Sequence, residues 1–142
     1  MTTNTSTAGS LPVSVLSGDS VARVAAGATL LDVADALVAS GISALVVGDG
    51  DDPVGIVTER DVVGALGERR DPAATTAADV AHTTLVWCDA DATVAEVAEL
   101  MMERYVRHVL IEDQGRLVGI VSARDLLGAY ASADLGPEDE GD

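Results

Sequence analysis

The sequence predicts an α/β fold of the α+β kind, in which two β-α-β-β-α repeats are related by pseudo-twofold symmetry. Three observations carry this reading. The segment Gly55-Ile56-Val57-Thr58-Glu59-Arg60-Asp61 returns as Gly119-Ile120-Val121-Ser122-Ala123-Arg124-Asp125, 64 residues further on. The offset holds without a gap, pairing Thr29 with Thr93, Val33 with Val97, Ala34 with Ala98, Val54 with Val118, and Gly64-Ala65 with Gly128-Ala129. Within each copy, short apolar runs alternate with stretches of helical period. A repeat this long that occurs twice marks two half-domains burying their apolar faces together rather than a solenoid. At 142 residues the chain suffices for one such shared core. A twofold pair also creates a cleft between its halves, the natural place to look for function.

The elements follow in order. The first half opens with a strand at 21–24. Leu30, Val33, Ala34, Leu37 and Val38 then recur at helical spacing and end at Gly41, a residue suited to a left-handed C-cap. Strands at 44–47 and 54–57 are joined by an Asp-Gly turn at 48–53, and Thr58 opens a second helix. The second half repeats this with a strand at 85–88, a helix through Val94, Val97, Ala98, Met101 and Met102, a strand at 108–111, a turn at Gln114-Gly115, a strand at 117–121 and a helix from Ser122. Met101 and Met102 match Leu37 and Val38, which makes them core or interface residues. The joint, with Pro72 and an Ala/Thr-rich stretch ending in Asp79-Val80, forms a short helical turn that parallels Val15-Leu16, so each half has a similar lead-in. The expected boundaries are a disordered tail at 1–10, repeat 1 at 11–70, a linker at 71–82, repeat 2 at 83–133 and an acidic disordered tail at 134–142. The tails are too polar to bury enough apolar surface to order themselves.

Charge excludes several functions. The 24 acidic residues outnumber 8 basic ones, all of them Arg, for a net charge of −16. This is the surface of a halophilic protein: in dilute buffer it repels itself, and in molar salt the Debye length contracts to about 3 Å and the repulsion is screened. Non-specific nucleic-acid binding rests on basic residues that release counterions, and is disfavoured. Cys88 is the only cysteine, which excludes an intrachain disulfide and a multi-cysteine zinc site and reads as a small buried apolar residue. The first ten residues lack an apolar h-region, and no run is long enough to span a bilayer. The expectation is a cytoplasmic protein with no membrane association. With Phe absent, Val, Leu, Ile and Ala must fill the interior.

Thr58-Glu59-Arg60-Asp61 and Ser122-Ala123-Arg124-Asp125 sit at strand-to-helix junctions, where backbone N–H groups lack intrahelical partners and the helix dipole attracts anions. A cap hydroxyl there can serve a backbone donor or a phosphate oxygen. Ser/Thr-x-x-Asp is also a near relative of the capping box, a purely structural device. Arg60 and Arg124 favour more than capping, because guanidinium groups suit phosphate and stand beside the acid in an otherwise acidic chain. Gly55 and Gly119 remove a side chain just ahead of the junction, leaving room for a flat ring or a neighbouring backbone.

The doubled order β-α-β-β-α, with Gly-hydrophobic-x-Thr/Ser-x-x-Asp entering the last helix of each half, resembles the CBS domain family in its tandem arrangement, the Bateman module, over residues 13 to 132. The resemblance implies a regulatory module that takes AMP, ADP, ATP or S-adenosylmethionine as regulatory ligand in the cleft between halves, with no required cofactor. It implies that Asp61 and Asp125 hold ribose hydroxyls and that Thr58 and Ser122 contact phosphate. Adenine would lie near Val21-Ala22, Ile42-Ser43-Ala44, Leu85-Val86 and Val106-Arg107-His108. It further implies a homodimer formed through the helices carrying Leu37 or Met101, and an unidentified effector protein that reads the ligand state.

The two halves differ where phosphate would be read, since Arg107 and His108 stand where the first half has Ser43 and Ala44. The expectation is tighter anion binding where Arg107 and His108 act, with the motif they face left open; both are alternatively surface residues, Arg107 solvated and His108 half buried. Trp87 is favoured as packing over purine stacking, and His82, with no His or Cys at ligand spacing, reads as structural or exposed. An enzyme is the weakest reading, because the sequence offers no nucleophile–base pair, metal cluster or Lys-bearing phosphate loop. A ligand-free dimerisation scaffold is the alternative, favoured by an anionic surface that disfavours an anionic ligand.

Overall fold

In the computed structural model, described for residues 8–17 and 21–141 with side chains given as far as 132, the chain divides into two compact units, 21–85 and 1–20 with 86–142. In the first of these, strand β1 (Arg23–Val24) runs parallel to β2 (Ala44–Val47), which pairs antiparallel with β3 (Gly55–Thr58), Val46 standing opposite Ile56. All four residues of β2 are buried, as expected of a central strand covered on both faces. Helix α1 (Leu30–Ser40) begins at a capping box. Thr29 Oγ1 accepts the Asp32 N–H, Asp32 returns to the Thr29 N–H, each at 3.2 Å, and the helix stops where Gly41 turns left-handed at φ 67°. Helix α2 (Glu59–Gly67) follows β3, and α3 (Ala77–Val80) closes the unit. Val33, Leu37, Leu45, Val47, Val57 and Ala77 form its core.

The other unit repeats the plan. Strand β4 (Trp87–Asp89) is parallel to β5 (His108–Asp113), which pairs antiparallel with β6 (Arg116–Ser122) around a bulge between Ile111 and Glu112. Gln114 and Gly115 both take positive φ, 53° and 80°, the geometry that lets a two-residue turn follow the twist of its strands. Helices α4 (Val94–Arg104) and α5 (Ala123–Gly141) pack on a core of Val13, Val86, Val94, Val97, Met101, Val109, Ile111, Val121 and Leu126. The α/β fold of two β-α-β-β-α repeats, each a three-stranded mixed sheet with helices, is thus as the sequence predicts.

The lead-ins change sides. The 3₁₀ turn Val13–Leu16, which sequence order assigns to repeat 1, packs in the unit of repeat 2, and α3, expected within a linker, packs in the unit of repeat 1. Backbone bonds hold both. Leu30 N–H donates to Thr75 O at 3.0 Å and Ala77 N–H to Ala28 O at 2.8 Å; 64 residues away, Val94 N–H donates to Leu11 O at 2.9 Å and Val13 N–H to Ala92 O at 2.7 Å. Val13 and Ala77 are each fully buried, so apolar burial and paired backbone together override sequence proximity. The expected N-terminal tail is helical over residues 8–10, with Ala8 buried, whereas residues 1–7 lie outside the described residues. Helix α5 continues as far as Gly141, where the sequence reading expected a disordered tail; residue 142 and the side chains from 133 onward lie outside the described residues.

Candidate functional site

At the first motif, β3 ends and α2 begins at Thr58, whose extended backbone (φ −121°, ψ 168°) turns the chain into the helix. Asp61 Oδ2 accepts the Thr58 N–H at 2.8 Å and the Thr58 hydroxyl at 3.0 Å, while Thr58 Oγ1 accepts the Asp61 N–H at 3.2 Å. The other carboxylate oxygen, Oδ1, lies 2.7 Å from His82 Nε2. At the second motif, Asp125 Oδ2 accepts the Ser122 N–H at 2.8 Å and Ser122 Oγ accepts the Asp125 N–H at 3.0 Å. Both motifs are therefore complete capping boxes, a local consequence of hydroxyl and acid three residues apart. Capping leaves the rest of each carboxylate's acceptor capacity for other donors, since an ionised carboxylate accepts at about four positions.

The strand beside each motif brings the remaining predicted residues to it. Ala44 stands opposite Thr58, and the Glu59 N–H donates to Ser43 O at 3.1 Å. In the other unit His108 stands opposite Ser122, and the Ala123 N–H donates to Arg107 O at 2.8 Å. Within this unit, backbone pairing thus sets Arg107 and His108 beside Ser122, the first residue of the second motif. Arg60, Arg107, Arg124 and Ile42 are exposed, Ser43, Val106 and His108 half-buried, and Ala44 buried.

Asp125 and Arg124 also open onto a groove of about 760 Å³ whose other walls are Ala8, Leu11, Val15, Leu16, Gly128, Ala129 and Ser132. It is an open groove rather than an enclosed cavity. The lead-in supplies its apolar wall, and α5 supplies its charged one. Sequence reasoning placed neither Leu11 nor Leu16 here, because the exchange of lead-ins leaves no local signal.

The glycines ahead of the motifs make room for the chain itself, a backbone carbonyl at Gly55 and a side chain at Gly119, rather than for a ring. A Cβ on Gly55 would collide with the His82 carbonyl oxygen and come 3.1 Å from Ala81 Cβ; one on Gly119 would come 2.7 Å from Ser17 Cβ. His82 is tied there by reciprocal bonds, His82 N–H to Ile56 O at 2.8 Å and Ile56 N–H to His82 O at 3.0 Å. Its role at Asp61 escaped a search for metal-ligand spacing, since the pair is made across the fold. Val86 is part of a core and Trp87 is half-buried on β4. Burial pushes the Cys88 thiol up to about 11, with Asp89 and Glu112 adding to the effect, so the group stays protonated and unreactive at neutral pH. Among the described residues, no cluster of three or more His, Cys, Asp or Glu is placed to hold a metal, and no helix is long and apolar enough to cross a membrane.

With fold and motifs established, the chain belongs to the CBS domain family: the CBS domain model matches residues 10–68 and 77–132, a tandem pair. An uncharacterized protein of Methanopyrus kandleri is 31% identical over 102 residues, covering 70% of this chain and 52% of that one. The chain spans about half the length of the curated relatives it matches. Among solved structures, a CBS-domain containing protein from Agrobacterium tumefaciens is 32% identical with a TM-score of 0.72, over 82% of this chain and 96% of the other. A CBS domain protein from Pyrobaculum aerophilum complexed with AMP is 26% identical with a TM-score of 0.73, over 86% of this chain and 99% of the other.

Proposed function

We propose that this CBS pair is a regulatory, non-catalytic sensor of adenosine-containing ligands, AMP, ADP, ATP or S-adenosylmethionine, whose occupancy is read by a partner protein. The observation that carries the reading is the groove in which Arg124 and Asp125 face an apolar wall of Leu11, Val15 and Leu16. Such a site suits a ligand with a flat apolar base, a diol and an anionic end. The AMP complex of the Pyrobaculum aerophilum protein supports the ligand class. In this reading Asp125 accepts the ribose hydroxyls, Ser122 and Arg124 meet the phosphate, Arg107 adds positive charge, and Val106 and His108 border the base. Thr58, Arg60, Asp61, Ile42, Ser43 and Ala44 are the counterparts in the first repeat. A ligand shifts such a module only by its differential affinity for two conformations, so occupancy and signalling share one free energy.

A thermal-shift panel in molar potassium chloride tests this, the salt chosen because we assign the −16 charge to a halophilic surface. Ligand at about 100 times its Kd stabilises the fold by roughly 2.7 kcal/mol, a shift on the order of several degrees at this size. Adenosine compounds are expected to give it and a guanine nucleotide not to. Arg107→Ala is expected to weaken the phosphate-bearing ligands and spare S-adenosylmethionine. A flat panel would leave only the scaffold reading.

Dimerisation is compatible with sensing, and a specific pattern favours it. Val38 and Met102, equivalent across the repeat, are 83% and 76% exposed, and Val63 and Leu127, also equivalent, are 67% and 70% exposed. Apolar residues left in water at matched positions of α1 and α4, and of α2 and α5, fit a homodimer interface. Met102→Asp is expected to convert a dimer to monomer in sedimentation velocity at high salt, with the melting curve of the fold retained; an unaltered dimer argues against this surface.

A further inference from the structure

We infer that His82 is a specificity-determining residue that closes the first motif to ligand, making the second motif the primary site; the inference rests on the sensor reading. Asp61 is held on both oxygens, Oδ2 by the Thr58 N–H and hydroxyl and Oδ1 by His82 Nε2 at 2.7 Å. The Asp61 side chain is only 11% exposed, so a ligand diol must take the direction that the imidazole occupies. His82 cannot drift away as a whole, because its N–H and carbonyl are both bonded to Ile56 and its carbonyl lies over Gly55. Only its side chain, 65% exposed, can swing aside.

Among the described residues the second motif has no such closure. Across the 64-residue offset the counterpart of His82 is Gly18, which has no side chain to offer a carboxylate. Asp125 is exposed and opens onto the groove with Arg124, and among the described residues its bonds are the reciprocal pair with Ser122. The repeat thus presents one carboxylate engaged by an internal donor and one accessible, although both belong to the same motif. An internal donor competes with a ligand hydroxyl for the same oxygen. Displacing it costs what a charge-assisted bond at a partly wet site is worth, about tenfold in affinity.

Calorimetric titration of AMP in molar potassium chloride tests the gate with the full chain. The wild type is expected to show one strong event, weakened at least about tenfold by Asp125→Asn and indifferent to Asp61→Asn. His82→Ala is expected to tighten a second, Asp61-dependent event about tenfold. His82→Gln, whose amide N–H restores a donor to Asp61, is expected to return that event toward the wild-type value. Because the backbone bonds to Ile56 do not involve the imidazole, both variants should stay folded, His82→Ala melting lower by no more than the loss of one hydrogen bond, on the order of a few degrees. AMP binding with an Asp61-dependent event that His82→Ala leaves unaltered or weakens overturns the gate alone. Absence of AMP binding in every variant overturns the sensor reading and the gate with it.

Discussion

Replacing Gly55 with valine is expected to lower the unfolding free energy by about 3 kcal/mol, measured by denaturant titration in molar potassium chloride. The first added carbon falls on the His82 carbonyl oxygen, and backbone yields less readily than the end of a flexible side chain. To admit it, the His82 segment must lift off β3, breaking the two bonds between His82 and Ile56. Overpacking alone typically costs about 1–3 kcal/mol, and each lost hydrogen bond adds about 0.5–1.5 kcal/mol. Against a typical domain stability of about 5–15 kcal/mol that is a severe lesion. Gly64→Ala is the control. It lies in α2 with nothing within 4 Å of an added Cβ, so it is expected to be neutral or stabilising by about 0.5–1 kcal/mol. Equal stability of Gly55→Val and wild type would show that the lead-in is not held against β3 as described.

What could be read from the sequence divides along the range of the interactions. The capping box at Thr58 and Asp61, and that at Ser122 and Asp125, involve residues three apart, so the hydroxyl–acid spacing announces them directly. The left-handed end of α1 at Gly41 and the turn at Gln114-Gly115 are equally local. The 64-residue offset announced that the second sheet repeats the plan of the first. The exchange of lead-ins was illegible for the opposite reason. Leu11 and Val94, or Ala28 and Ala77, are joined by backbone groups that every residue type possesses, so no side-chain pattern records the partner. Gly55 signalled close approach, yet a glycine cannot say whether a ligand ring or a carbonyl arrives; here it is the carbonyl of His82. His82 itself looked uninformative because its partner Asp61 is distant in sequence and is brought within 2.7 Å by the return of the chain along β3.

Asp125 carries the largest expected functional effect, and its double role dictates which substitution can reveal it. Asp125→Ala removes the acceptor for the Ser122 N–H at the start of α5, so it destabilises the helix by about 1 kcal/mol whether or not a ligand binds there. A melting shift measured on that variant mixes the two losses. Asp125→Asn separates them: the amide oxygen can still accept from the Ser122 N–H, whereas the charge that strengthens bonds to a diol is gone. Hydrogen bonds to a charged group are worth about 1.5–3 kcal/mol, so AMP affinity is expected to fall by at least about tenfold while the ligand-free melting temperature stays near that of the wild type. Asp61→Asn is expected to do much less to AMP affinity, because His82 already engages that carboxylate. Should Asp125→Asn bind AMP as tightly as the wild type, the ligand is held elsewhere on the chain, and the motif beside the groove does no more than cap its helix.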